Sequence, residues 1–229
     1  MSGDRESDYI GATASYSFGQ KWYFDFSYAR GNSSTSADVP AGATLIPSDF
    51  KIDDDWYQFY VRYAFPALRG KKLAAYLRAG ISFVQTDLRA DGATTIGDIP
   101  VSYSQKDDAT DILGNVGFGL TYTLYNGERA RFGVQFEGEG FYGNRSQETV
   151  ESLQGITFPK HDIDNSVFGG VGRLTGRFEY ALGKRGLVNL FADAGLQAKY
   201  SLINYDELHK DFDELLWGPY VKIGVSVSF

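Results

Sequence analysis

Apolar side chains recur at every second position through most of this chain. Trp22, Phe24, Phe26 and Tyr28 share one face of a segment that carries Asp25 and Ser27 on the other. Tyr57, Phe59, Val61, Tyr63 and Phe65 alternate with Gln58, Tyr60 and Arg62. Leu73, Ala75, Leu77, Ala79, Ile81 and Phe83 are set against Tyr76, Arg78, Gly80 and Ser82. The rhythm returns in Ile112, Val116, Phe118, Leu120 and Tyr122, then in Phe132, Val134 and Phe136. It continues through Phe168, Leu174, Phe178 and Tyr180, and through Leu190, Ala192, Ala194, Leu196 and Ala198. A period of two predicts β-strands with one apolar and one polar face. With a weaker segment over Tyr9–Phe18 and a last one ending at Phe229, about nine strands are expected. Each has roughly ten or more residues, enough for a tilted strand to cross a bilayer.

The links between segments fall into two sets that alternate strictly. Residues 19–21, 66–72, 125–129 and 183–186 make short connections, whereas 32–53, 87–108, 144–162 and 203–214 are long and polar. This asymmetry predicts an all-β, transmembrane, antiparallel up-and-down β-barrel of 8–10 strands, with short periplasmic turns and four long extracellular loops. An odd count is a difficulty, because it makes the first and last strands run in the same direction. Either a strand ahead of residue 9 is missing or one segment stays out of the barrel. Residues 1–229 are expected to form one domain, with residues 1–8 a disordered start whose leader has been removed.

Composition narrows this further. The chain of 229 residues has 17 Phe, 16 Tyr and 27 Gly but no Cys, which suits strands joined by tight turns. Mean hydropathy is −0.28, and no apolar run is long enough for a transmembrane helix. A barrel escapes that test because only alternate residues meet lipid. A net charge of −7 argues against a nucleic-acid partner.

The final segment, Pro219-Tyr220-Val221-Lys222-Ile223-Gly224-Val225-Ser226-Val227-Ser228-Phe229, alternates apolar and polar residues up to a terminal Phe. In this and in its strand-and-loop pattern, the chain resembles the small outer-membrane β-barrel superfamily, the group around the OmpA transmembrane domain, OmpX and OmpW. The resemblance implies an integral location in a Gram-negative outer membrane. It also implies contact with membrane lipid and lipopolysaccharide, and a porin-like barrel whose Phe229 is read by the barrel-assembly machinery. It carries over no functional residue.

Opposite the lipid-facing positions lie Asp25, Arg62, Arg78, Arg131, Glu137, Glu139, Arg173, Arg177, Glu179, Asp193, Lys199 and Lys222. A narrow barrel cuts such charges off from water, so each needs a partner. The interior is therefore expected to be a salt-bridged polar core, mostly closed, in a non-enzymatic barrel. Its loops would serve surface interaction or structure, with a narrow pore or transporter of small molecules as the alternative reading. Glu137 and Glu139 should pair with Arg131, Arg173 or Arg177. A rim hydrolase of the omptin kind would need His209 with Asp206 or Asp211, or His161, but no catalytic motif surrounds them. Asp53, Asp54 and Asp55 offer oxygen ligands without a calcium-loop spacing, and no cofactor is expected. Trp22, Trp56, Tyr57, Tyr180 and Trp217 are expected in the interfacial aromatic girdles.

Overall fold

The computed structural model describes residues 6–18, 21–41, 44–68, 72–96, 98–182, 188–205 and 210–227. Nine long strands dominate these residues. They are β1 (Glu6–Phe18), β2 (Trp22–Ala41), β3 (Thr44–Leu68), β4 (Leu73–Ile96) and β5 (Ile99–Asn126), then β6 (Ala130–Leu153), β8 (His161–Leu182), β9 (Val188–Tyr205) and β10 (Lys210–Val227). A two-residue strand, β7 (Ile156–Thr157), pairs only with β6. Every consecutive long pair is antiparallel, giving one sheet in the order β1-β2-β3-β4-β5-β6-β8-β9-β10.

The strand period places odd positions of β5, β6, β8 and β9 on the concave face, and even positions of β3, β4 and β10. The convex face carries an exposed apolar band that includes Phe59, Leu77, Ile81, Val116, Phe118, Phe136, Leu174, Leu196 and Ile223. Such a band is far larger than a soluble monomer tolerates and fits a sheet solvated by lipid.

The positions of the short and long links hold, but among the described residues most of the length of the long links is strand rather than loop. β2 and β3 pair without interruption from Trp22↔Tyr63 out to Ala41↔Thr44. β4 and β5 pair from Leu73↔Tyr122 to Ile96↔Ile99. Strands therefore reach 28 residues, well beyond the roughly ten needed to span a bilayer. The polar segments continue the same ladders as hairpin arms, because Thr, Ser and Asp pairs across the strands satisfy the backbone as fully as the apolar pairs do. β1 likewise starts at Glu6, ahead of Tyr9.

All nine segments join the sheet, so no segment stays out of it. The sheet curls until its edge strands β1 and β10 approach within 8 Å between Cα atoms. An inserted strand would hold them about 9.6 Å apart, twice the usual spacing. β1 and β10 thus lie close together and run in the same direction, while the hydrogen-bonded order ends at each of them.

Candidate functional site

On the concave face, charge is arranged in pairs that cross strands. At the end near the short turns, Arg62 on β3 holds Asp25 on β2 at 2.7 and 3.0 Å, and Ser15 on β1 donates to the same carboxylate at 2.5 Å. The Arg62 guanidinium lies 4.4 Å from the Tyr23 ring centroid. Higher up, Arg78 on β4 reaches Glu139 at 2.7 Å and Glu137 at 3.6 Å, both on β6. Arg177 holds Asp193 through two bonds of 2.8 and 2.7 Å. Arg131 and Arg177 approach Glu179 at 3.9 and 4.0 Å.

Glu137 and Glu139 therefore find their main cation on β4 rather than on β6 or β8. Arg173 contributes only a 3.9 Å approach to Glu137, and Arg131 and Arg177 are not ion-paired to either acid among the described contacts. The reason lies in β5. Register sets Arg78 opposite Gly117, and Gly117 opposite Glu139; Tyr76 stands opposite Gly119, and Gly119 opposite Glu137. A side chain on Gly117 would press on Arg78 and Glu139, and one on Gly119 would fall within the Tyr76 ring. Two inward glycines open a path across β5, and Arg78 and Tyr76 lie through it to reach β6. Tyr76 donates to Glu137, and Tyr60 donates to Glu139 at 3.1 Å.

The interior is not polar throughout. Val84, Leu113, Phe141, Val167 and Ile203 form a buried cluster, one residue from each of β4, β5, β6, β8 and β9, with Trp56 of β3 packed against it. These positions make an apolar layer across the lumen. Lys199 stands beside it, its ammonium 4.6 Å from the Trp56 ring centroid. Lys222 lies below, 5.5 Å from the Phe191 centroid.

Above this layer, towards the hairpin arms, the concave face turns acidic. Asp54, Asp107 and Asp111 are buried there. Arg145 grips Asp111 at 2.6 and 2.8 Å, and Thr86 donates to Asp54 at 2.7 Å. Along β5, Tyr103 donates to Gln105 at 2.5 Å and Gln105 donates to Asp107 at 2.7 Å. Burial, then the charges of Glu151 and Asp107, push the Tyr103 phenol up to about 12.

The convex side of the arms carries a different pattern. Register places Asp53, Asp87, Asp108, Glu148 and Asp162 directly opposite one another across five strands. Like charges so placed repel, and cations answer them: Arg89 binds Asp87 at 3.2 Å, Lys106 binds Asp108 at 2.7 Å, and Lys160 reaches Glu148 and Asp162 at 2.5 and 3.4 Å.

Two readings need correction. Asp53, Asp54 and Asp55 do not converge, because neighbouring strand residues face opposite sides: Asp54 is buried inside, Asp53 is exposed, and Asp55 accepts from Tyr28 at 2.7 Å. Among the described residues no group of three acids or imidazoles could hold a metal. Trp56 is not an interfacial aromatic, since its even position on β3 turns it inward onto the apolar layer. Trp22, Tyr57, Tyr180 and Trp217 do face outward, Trp217 at 79% exposure, with the Tyr57 ring tilted against that of Tyr28 at 5.1 Å between centroids. His161 is exposed at the arm end of β8, opposite Thr149. His209, Asp206 and Phe229 lie outside the described residues, as does the Asp211 side chain.

The apolar layer, Arg145 and Asn165 escape a reading that ends the strands at the membrane. Their signal is parity: odd positions of β5 stay inward from Gly119 up to Val101.

No family model and no curated protein matches the chain. Among solved structures it overlaps the ferric preacinetobactin receptor BauA of Acinetobacter baumannii at 13% identity and a TM-score of 0.35, covering 96% of this chain and 37% of the receptor. It overlaps CarO of the same organism at 14% identity and 0.35, covering 69% and 81%. The ferric yersiniabactin uptake receptor FyuA of Yersinia pestis gives 13% and 0.39, covering 96% and 43%. The chain thus spans well under half of either receptor. These overlaps are loose, and the membrane-spanning assignment rests on the exposed apolar band of the chain itself.

Proposed function

We propose that this protein is a non-enzymatic bacterial outer-membrane barrel, closed to permeation, whose hairpin arms carry its interactions. The observation behind this is the apolar layer formed by Trp56, Val84, Leu113, Phe141, Val167 and Ile203 across the lumen, stacked on a tier of ion pairs. Water leaves an apolar constriction of this kind, and ions do not cross it without their hydration. A sheet of about nine strands has an interior that side chains fill. The alternation of short turns and long arms supports an orientation with the arms outside the cell.

The partners follow from the two faces. The convex apolar band meets acyl chains, and the rows of carboxylates and cations above it meet lipopolysaccharide headgroups. The terminal strand is the part the barrel-assembly machinery would read. Planar-bilayer recording of the purified protein tests the closed lumen. The expected trace is silent, and a large, stable open channel would sink the proposal.

A further inference from the structure

We propose that the inward wall above the apolar layer binds a small organic cation that also carries an amide or a similar hydrogen-bonding group. Asp107 is 7% exposed. Among the described residues its Oδ2 accepts only from amides, Gln105 at 2.7 Å and Gln147 at 3.3 Å, and its Oδ1 accepts from nothing. A buried carboxylate answered only by neutral donors is strongly disfavoured unless a cation joins it. Arg145, the cation nearby on β6, is committed to both oxygens of Asp111.

Asn165 supplies the second, independent feature. It is 4% exposed, and neither its Nδ2 nor its Oδ1 has a partner. Buried amides are nearly always satisfied, so one that lacks a partner at both ends marks a place for a missing donor and acceptor. The two residues share one wall. Gln147 of β6 reaches Asp107, and Arg145, two positions earlier, faces Asn165 in register. Asp107 pairs with Thr149 and Asn165 with Arg145, four residues away on β6, so strand geometry puts their Cα atoms roughly 16 Å apart along this wall.

Water would satisfy the amide but would not neutralise Asp107. A metal ion suits the site poorly, since no three acids or imidazoles converge among the described residues and the neighbours of Asp107 are N–H donors. An ammonium on a five-methylene spacer ending in an amide, fully extended and meeting each side chain through a hydrogen bond, reaches from one end to the other, with the apolar layer as a floor beneath the spacer.

The test is calorimetric titration of the whole purified chain in detergent micelles with 6-aminohexanamide. Saturable binding is expected. Hexanamide, which lacks the charge, should bind at least about tenfold more weakly, as should 6-aminohexanamide to Asp107→Asn, because a charge-assisted hydrogen bond is lost. Asn165→Leu should weaken binding while raising the melting temperature, since it removes an unsatisfied buried amide. No saturable heat, equal affinity for hexanamide, or unchanged affinity in both variants overturns the proposal. Calcium chloride binding that Asp107→Asn abolishes would overturn it too, in favour of a metal site. Conductance does not enter this readout, so its outcome is separate from that of the closed lumen.

Discussion

At the scale of single residues, inward glycines decide which partners the large side chains find. Tyr60 lies opposite Gly80, Tyr76 opposite Gly119, Phe141 opposite Gly169 and Phe191 opposite Gly224, and in each case a Cβ on the glycine would strike the ring. Gly119→Ala should therefore destabilise the barrel by about 1–3 kcal/mol in urea unfolding, as overpacking does. Combined with Tyr76→Phe it should show marked non-additivity, since the two sites touch; simple additivity would count against the interlock. Arg78→Met should be worse, at about 3–5 kcal/mol, because Glu139 is left buried without its closest cation. Adding Glu137→Gln and Glu139→Gln should restore most of that loss, and failure to do so would mean that Arg78 acts through packing rather than charge.

Elements were legible in the sequence as a rhythm and less so as lengths. Alternation gave the nine strands and the sides on which the short and long links lie. It did not show that Ser34–Asp38 or Asp87–Asp91 remain strand, because polar residues on both faces erase the apolar marker while the cross-strand bonds persist. The same blind spot hid the acidic inward wall above the apolar layer. Asp107 and Arg145 fall in stretches that read as loop, Asn165 lies just past the end of one, and the misassignment of Trp56 came from grouping aromatics by position along the chain instead of by parity.

Tyr103, at the arm end of β5, offers a pH test of this ordered state. Its phenol is held neutral, with a value of about 12 against an ordinary 10.0. A raised value in the folded state means that the contribution of Tyr103 to stability is complete below pH 10 and is lost as pH rises through about 12. Comparison of wild type with Tyr103→Phe by phenolate absorbance should show one tyrosine ionising near that upper value. Titration of that tyrosine near pH 10 instead would imply that the arm is frayed.

For the whole molecule, closure turns on the seam between β1 and β10. Paired cysteines in neighbouring parallel strands cross-link along a constant difference in residue number, whereas antiparallel neighbours follow a constant sum. A scan of β1 against β10 in the chain, which has no native cysteine, should show the constant difference. A barrel with an inserted strand would show no cross-links at all.

The same odd parity has a geographical consequence. Glu6 pairs with Ser34 near the arms, while Val227 pairs with Val188 beside a short turn. The two ends of the ordered sheet therefore emerge on opposite sides of the bilayer, unlike those of an even-stranded barrel. A peptide tag attached ahead of β1 and one attached behind β10 would be reached by antibodies from different compartments, so a single intact cell carries its own internal control for sidedness.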